Sequence, residues 1–546
     1  MLRNLVVVSV LCVAAWGQQA PPRVGVGVAQ RKLGLREAIE MALKGNLEIE
    51  IERSNVSSSA QAIKAAQGAF DPIFRWMPGI DSRNTPVASV LQGAGGKLAE
   101  NLMAQNFSLA QKLPSTGAGV QAGFDNSRTS TSNAFASLNP VMSSRLVLGF
   151  TQPLWRNRAI DRERAELKIR RTQFNLSESD FEVKVIDVVW RVEQAYWDLV
   201  GARQDVDVKA DGGKWAQEQL ARNRRMIDSG TLAAVELAAS EAELQRRMDS
   251  WYASIGLVTE IENLLKTLLA PDRQSPIWGE EIVPADVRTV DAPAVVDLSQ
   301  AVAQAIKDRA ELRGLALRRD VNDIQKRLSA DQTRPQVNLS ASYSNAGIGG
   351  TISATENPFS ASQALTAQRL NQLSALAGLA PLSAAGFGSL PDILIGGYGT
   401  ALSNVFSGRY QSVQVGLQFD LNLRNRTAEA TLAQSAIAER RLKLEQARAE
   451  QLIEAQVRNA VQAIETAKQR IAAARAAERA AQEKLDSEVR LFQTGESTNF
   501  MVLTRQNEYL DSRRRAVVAN LDLNKAVSWL EQALGSTLRS RNISLK

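Results

Sequence analysis

The apolar positions in the last part of the chain follow a coiled-coil pattern. They are spaced four and three residues apart in alternation, which predicts one face of a long helix with a period of 3.5 residues: Ile453, Val457, Ala460, Ile464, Ala467, Ile471 and Ala474. No proline occurs between residues 424 and 546, so no residue there breaks a helix by lacking a backbone donor. Thr494-Gly495-Glu496-Ser497 predicts a tight turn between two long helices. The first of them, at roughly 65 residues, would span on the order of 100 Å.

The same pattern occurs earlier in the chain. Residues 35–44 align without a gap with 298–307, and Arg156-Asn157-Arg158 aligns with Arg424-Asn425-Arg426. In the register of the second match, apolar or aromatic residues occupy the heptad positions: Val185, Val189, Val192, Tyr196 and Leu199. A turn at Asp228-Ser229-Gly230-Thr231 corresponds to the later turn. We therefore predict an internal tandem repeat, each half being helix, strands, long helix, turn and long helix.

The repeat predicts the domain organisation. Residues 18–270 form the first half and residues 298–546 the second. The proline-rich residues 271–297 between them are either an extended linker or part of a small equatorial collar.

The helices of each half have recognisable limits. Pro72 and Pro335 follow the two opening helices, because proline cannot continue a helix. The adjacent Gly212 and Gly213 cost about 2 kcal/mol of helix propensity, so we expect a kink or loosened packing there. The helices predicted outside the last hairpin cover residues 35–68, 156–228, 233–270 and 298–331.

Short runs that alternate between apolar and polar residues predict β-strands. In the first half they lie at 107–113, 120–125 and 146–151; in the second half they lie at 337–344 and 413–423, with a long loop over 346–410 between them. Runs of 9–11 residues match a tilted transmembrane strand, with one face toward lipid and one toward a polar lumen. A soluble sandwich shows the same alternation. The very long flanking helices and the N-terminal segment favour the membrane barrel.

That N-terminal segment has the features of a secretory signal peptide over residues 1–17. Arg3 precedes an apolar run, and Ala15-Trp16-Gly17 is a small-x-small cleavage site. A non-cleaved N-terminal anchor is the alternative. Cys12, the only cysteine, lies inside this run, and the chain has no histidine. Cleavage would leave no thiol nucleophile, and the lack of histidine removes the commonest general base and metal ligand, so we expect no catalytic, cofactor or metal site and no enzymatic activity.

The charge pattern suggests solvated helix faces. The net charge of +7 is spread over interleaved arginine and glutamate, as in Glu439-Arg440-Arg441, so nucleic acid is not an expected partner. No segment has the roughly 20 apolar residues that a membrane helix needs. A membrane crossing would therefore have to be a barrel.

Taken together, the chain resembles the TolC family of outer-membrane channel proteins. The resemblance covers nearly all of the chain after the signal peptide. It rests on the duplicated opening at 35–43 and 298–306, the strand end Thr151-Gln152-Pro153-Leu154, the turns at Gly230 and Gly495, and the closing Ala533-Leu534-Gly535. None of these motifs alone is specific to the family, but their order, which occurs twice in the chain, is.

The resemblance implies a homotrimer of mixed α and membrane β class. Each copy would give four strands to a shared transmembrane β-barrel and its long antiparallel coiled-coil helices to a continuous periplasmic α-barrel. It also implies a passive exit duct in the outer membrane, in contact with its lipid. The expected partners are a periplasmic adaptor and an inner-membrane pump of the resistance-nodulation-division, ABC or major facilitator type, for efflux or type I secretion.

The resemblance further implies functional sites at the two helix turns. The adaptor would dock at Ser229, Gly230 and Thr231 and at Gly495, Glu496 and Ser497. Family members close the periplasmic end with acidic and tyrosine side chains, but here Met501 and Thr504 occupy the acidic positions and Phe492 the tyrosine position. Two alternatives stay open: apolar closure by Phe492 and Met501, or closure by the charged residues Glu496, Arg505 and Glu508.

One region departs from the family pattern. Residues 84–139 are longer than two strands need and alternate on both sides of Pro114-Ser115-Thr116-Gly117, which predicts either an extra hairpin or an extracellular loop. Two other functions remain as alternatives. One is a structural or adhesive coiled-coil surface protein on a non-conducting barrel, and the other is a periplasmic enzyme or soluble coiled-coil adaptor.

Overall fold

The structure, a computed structural model, describes residues 23–27, 29–88, 96–231, 233–286, 296–354, 358–381 and 390–544. The predicted signal peptide and Cys12 lie outside the described residues, as do residues 287–295 of the predicted linker. One compact unit comprises the described residues within 1–57, 176–316 and 443–546, and the other those within 58–175 and 317–442.

The elements are numbered in chain order. The helices are α1 Leu35–Gly45, α2 Leu47–Gln67, α3 Arg162–Asp228, α4 Val235–Leu269, α5 Leu298–Asp308, α6 Ala310–Gln332, α7 Pro358–Leu376, α8 Tyr398–Phe406, α9 Arg426–Thr494, α10 Asn499–Leu534 and α11 Thr537–Ser540. The strands are β1 Gln30–Leu33, β2 Ile73–Pro86, β3 Lys97–Lys112, β4 Gly119–Thr131, β5 Leu138–Pro153, β6 Glu281–Pro284, β7 Gln336–Ile352 and β8 Gln411–Asp420.

Both predicted long hairpins are confirmed. Helices α3 and α4 form the first, and α9 and α10 the second. At 69 residues, α9 spans about 100 Å. The heptad positions of both seams are buried from Val185 to Leu199 and from Ile453 to Ala467. The spacing of the apolar residues was therefore sufficient to locate the packed faces of α3 and α9.

The first unit contains two hydrophobic cores. In one, Ala38, Ile39 and Ala42 of α1 pack with the buried faces of α3 and α4. In the other, Ala301 and Ala305 of α5 pack with α9 and α10. Each hairpin therefore packs with the short helix that opens its half of the chain. The tandem repeat itself and its boundaries stay a prediction.

The two opening helices are broken, and their prediction as single helices was wrong. The first is interrupted at Asn46, whose side-chain oxygen accepts the backbone N–H groups of Glu48 (2.9 Å) and Ile49 (3.2 Å). Its amide donates to the carbonyl oxygen of Leu268 in α4 (3.0 Å), so the start of α2 is fixed to the first hairpin. The second is interrupted at Arg309, which donates to the carbonyl oxygen of Ala533 (3.3 Å).

The predicted linker contributes a strand. β6 pairs in parallel with β1, from Gln30 opposite Glu281 to Leu33 opposite Pro284. The hydroxyl of Tyr196, fully buried on α3, lies 3.0 Å from the carbonyl oxygen of Leu33 and accepts the backbone N–H of Asp286 (3.1 Å). Residues 281–286 therefore pack within the first unit, with Ile282 fully buried in its core.

The second unit holds a six-stranded antiparallel sheet with the order β2-β3-β4-β5-β7-β8. The sequence left the number of strands open, and this sheet has six where the family resemblance implied four. Residues 84–139 contribute the extra β3–β4 hairpin, which was one of the two alternatives, and β2 was not predicted. The predicted loop 346–410 is also shorter than expected, since β7 continues to Ile352 and the described loop residues include α7 and α8.

The two faces of this sheet differ in chemistry. The paired positions Trp76, Phe107, Phe124 and Leu146 lie on one face, and rings of Trp76 and Phe107 stack 6.4 Å apart. Small and polar residues lie on the other face: Ser108, Gly123, Ser340, Ser342, Gln414 and Gln418.

Helix α8 covers the far end of the apolar face. A Cβ atom at Gly349 would lie 2.7 Å from the carbonyl oxygen of Gly397, so only glycine permits this approach. Asn345 donates to the carbonyl oxygen of Val405, and Asn404 donates to that of Ile348 (2.9 Å). On β7, the exposed part of the apolar face therefore stops near Tyr343, one alternating position before Asn345.

Candidate functional site

The turns that end the two hairpins have the same backbone geometry. Gly230 and Gly495 adopt φ of +74° and +84°, in the left-handed region that favours glycine. The N–H after each glycine bonds back to the last helical turn, Thr231 to Met226 and Glu496 to Leu491, both at 2.9 Å. This is the helix-ending motif in which glycine satisfies the final carbonyl groups.

The predicted docking residues lie at these turns and are mostly exposed. The hydroxyls of Ser229 and Thr231 donate to the carbonyl oxygen of Met226 at 3.0 and 2.9 Å. Ser497 donates to the carboxylate of Glu488 in α9. Glycine at both turns is explained by backbone geometry alone, and adaptor docking stays a prediction.

The predicted gate residues flank the second turn. Phe492 lies in the last turn of α9 and Met501 in the first turn of α10, both half-buried. Thr504 donates to the carbonyl oxygen of Phe500 (2.9 Å). Beside Met501, Phe500 has 70% of its surface exposed, which the sequence did not single out.

The structure brings the predicted charged residues together within one chain. Arg505 bonds both carboxylate oxygens of Glu508 at 3.0 and 2.9 Å and lies 3.7 Å from Glu488. The hydrogen bond that Arg505 donates to Glu508 raises the pKa of Arg505 above its usual value. Glu496 is exposed in the turn itself.

Behind the second turn, one buried arginine joins three helices. Arg247 of α4 donates to Glu243 (2.8 Å), to the carbonyl oxygen of Gly212 in α3 (3.0 Å), and to Gln506 (3.3 Å) and Asn507 (3.2 Å) in α10. Its side chain is 8% exposed. We call these five residues the α10 anchor.

The paired glycines lie where α10 and α4 approach α3. Helix α3 is continuous through Gly212 and Gly213, and both are buried, so the predicted loosened packing is not observed there, while the predicted kink stays a prediction. A Cβ atom at Gly212 would lie 2.9 Å from Leu510 of α10, and one at Gly213 would lie 3.5 Å from Met248 of α4. Gly212 therefore allows the close approach of α10 to α3, whereas a Cβ atom at Gly213 would make an ordinary contact with α4.

A second buried polar group lies nearer the turns. Gln219 of α3 donates to Asn223 (3.0 Å) and to Asn499 of α10 (2.8 Å). Asn223 donates to Ser240 of α4 (2.7 Å), and Asn499 to Glu236 (3.1 Å). We call these five residues the polar layer. All of them except Glu236 are buried, and their hydrogen bonds compensate for the loss of water.

Ion pairs continue the connection between α3 and α10 away from the turns. Three carboxylates of α3 each face a cation of α10, in the pairs Asp211–Arg513 (2.9 Å), Asp205–Arg514 (3.2 Å) and Asp198–Lys525. As partly exposed pairs each contributes little alone. These residues were not predicted, because interleaved charge is typical of a solvated helix face; the paired Gly212 and Gly213 were the one sequence signal near them.

Among the described residues, no group of three or more His, Cys, Asp or Glu could hold a metal ion. None of the helices in the described ranges is both long and apolar enough to cross a membrane.

Solved structures with the same fold exist. The Campylobacter jejuni outer membrane channel CmeC matches 92% of this chain and 86% of its own length, with a TM-score of 0.62 and 12% identity. The outer membrane protein VceC from Vibrio cholerae matches 92% and 96%, with a TM-score of 0.57 and 13% identity. The open state of the Neisseria gonorrhoeae MtrE outer membrane channel matches 94% and 91%, with a TM-score of 0.57 and 14% identity.

At the level of sequence, no family model and no curated protein matches the chain. At 12–14% identity the structural likenesses establish the fold.

Proposed function

We propose that this chain, which has the fold of the TolC family of outer-membrane channel proteins, is an outer-membrane exit duct. It conducts substrates passively, and an inner-membrane pump supplies the energy. The duct serves either tripartite efflux or type I secretion. The observation that carries the proposal is a sheet with one exposed apolar face in the same chain as two very long helical hairpins.

The exposed apolar face of the sheet supports contact with a membrane. On the edge strands β2 and β8, Trp76, Val413 and Phe419 are 56%, 70% and 60% exposed. Exposed patches of this kind mark contact with a membrane or another protein. Opposite them, Gln414 and Gln418 line a polar face. Alternation between an apolar and a polar face is the pattern of a strand between lipid and an aqueous lumen.

The helices supply the periplasmic part of the proposal. Three copies would combine their α3–α4 and α9–α10 hairpins into an α-barrel and their strands into one β-barrel. The turns at Gly230 and Gly495 would meet the periplasmic adaptor. The α10 anchor and the polar layer would hold α10 against α3 and α4 and keep the periplasmic end narrow.

The experiment is single-channel recording on purified protein. Wild type is compared with Phe492→Ala/Met501→Ala, and the exposed Arg36→Ala serves as matched control. A small wild-type conductance that rises only in the double variant supports a duct with an apolar gate. Equal, low conductance in all three moves the gate to Glu496, Arg505 and Glu508. A folded trimer that never conducts, even with these charges removed, refutes the duct and favours a structural surface protein.

A further inference from the structure

The β3–β4 hairpin is built into the middle of the sheet. β3 pairs with β2 from Ile73 opposite Ala110, and β4 pairs with β5 from Gly119 opposite Thr151. The two strands have 16 and 13 residues, as long as their neighbours. The hairpin therefore widens the sheet by two full strands.

The turn of this hairpin is fixed to the start of α3. Arg164, which is 8% exposed, donates to the carbonyl oxygen of Ser115 (3.3 Å) and to Asp161 (3.0 Å). Lys112, at the end of β3, pairs with Glu163 (2.6 Å). Gly117 adopts φ of +72°, and a Cβ atom there would lie 2.7 Å from Asp161. These contacts hold the hairpin as part of the scaffold.

The sheet is open at both edges. Among the described residues, β2 pairs only with β3 and β8 pairs only with β7. Exposed edges of long strands are sites for pairing with another chain. Because six antiparallel strands alternate in direction, β8 runs opposite to β2, so a second copy in the same orientation can add its β8 to β2 and continue the antiparallel pattern.

We propose that three copies join β2 of one to β8 of the next and form an eighteen-stranded barrel, where four strands per copy would give twelve. This rests on the proposed trimeric duct and adds its width. Barrel diameter grows roughly linearly with strand number, so the ring is about 1.5 times as wide, with about twice the cross-section. The outer mouth therefore admits solutes too bulky for a twelve-stranded ring.

Disulfide cross-linking tests the edge pairing. In a Cys12→Ser background, Arg75→Cys on β2 is combined in turn with Gln414→Cys, Gly416→Cys or Gln418→Cys on β8, because a closed barrel staggers its strands by an amount to be found. We expect one combination to give oxidation-dependent dimers and trimers. The matched control puts Ser108→Cys on β3, the position opposite Arg75, in place of Arg75→Cys. It should not cross-link to the cysteines on β8 of the next copy, because β3 lies one strand further from that β8 than β2 does and disulfides need Cα atoms within about 7 Å.

Two results would overturn the proposal. One is cross-linking of β8 to Gln121→Cys on β4 in place of β2, which would put β2 and β3 outside the ring. The other is an electron cryo-microscopy map of the trimer with twelve strands. Conductance separates the two proposals. A trimer with eighteen strands that does not conduct refutes only the exit duct, and a conducting trimer with twelve strands refutes only the wider barrel.

A deletion gives an independent readout. Removing residues 97–131 takes out β3 and β4 together and preserves strand direction, so β2 can pair with β5. We expect the largest polymer that blocks the channel to fall in diameter by about one third. An unchanged size limit in a folded deletion variant contradicts the wider ring. If the variant does not fold, the cross-linking experiment decides.

Discussion

Replacing Arg247 with alanine should release the start of α10. Arg247→Ala removes the four hydrogen bonds that Arg247 donates to Glu243, the Gly212 carbonyl, Gln506 and Asn507. Loss of one partner of a buried ion pair costs about 3–5 kcal/mol. Glu243 keeps contacts with Arg246 and Asn507, so we expect the lower end, about 3 kcal/mol.

Hydrogen exchange measured by mass spectrometry is the assay. A loss of about 3 kcal/mol in local stability corresponds to roughly 100-fold faster exchange where exchange follows the opening equilibrium. The effect should appear in peptides covering residues 499–514 of α10, and peptides covering β3 should be unchanged.

Arg246→Ala is the matched control. Arg246 directly precedes Arg247 and also pairs with the carboxylate of Glu243. Its side chain is 70% exposed, however, whereas that of Arg247 is 8% exposed. An exposed pair contributes about 0.2–1 kcal/mol. Equal protection of residues 499–514 in the two variants would refute the reasoning, because burial and connection to three helices would then have no energetic consequence.

Three further changes test other parts of the fold. The hydrogen bonds from Arg191 lower the pKa of Glu48 to about 2, so its contribution to the stability of the fold is complete above its ordinary pKa of 4.5 and is lost as the pH falls toward 2. Because Glu48 is nearly half exposed, Glu48→Gln should cost about 1 kcal/mol in thermal melts at pH 7 and nothing below pH 2. An equal loss at both pH values contradicts this. Gly495→Ala should cost about 1–2 kcal/mol by forcing an alanine to positive φ. Gly256→Ala, in open space on α4, should stabilise the protein by up to about 1 kcal/mol in the same melts, and equal effects would show that backbone conformation is not the cause. Tyr196→Phe should cost about 1–3 kcal/mol in urea unfolding, since the backbone N–H of Asp286 loses a buried acceptor, and an unchanged midpoint would mean that water replaces the hydroxyl.

The long helices could be predicted because their signal is periodic and repeated. A seam such as Val185 to Leu199 has the same spacing as its counterpart in α9, and burial by tertiary packing follows that spacing. The breaks at Asn46 and Arg309 in the two opening helices have no such periodic signal. Gly45-Asn46 is a recognisable stop signal that the continuing apolar pattern obscured. Nothing local marks Arg309, where contacts to Ala533 and Gln456 hold the non-helical backbone.

Strand β2 was missed for a different reason. Ile73, Phe74, Trp76 and Met77 are apolar on both faces, so no clean alternation exists. Pro78 also argues against a strand, since proline cannot donate to a neighbour. An edge strand tolerates proline, and β2 is an edge strand. The α10 anchor could not be predicted, because it joins residues of three helices whose pairing is set only by the fold.

The polar layer has a consequence for the alignment of the helices along their length. Seams of alanine, valine and isoleucine look nearly the same after a shift of seven residues, so apolar packing alone would allow the helices to slide. A shift would break the bonds between helices, from Gln219 to Asn499, from Asn223 to Ser240 and from Asn499 to Glu236, at about 1–3 kcal/mol for each buried group left unsatisfied. One set of hydrogen bonds thus selects one register of α10 against α3 and α4.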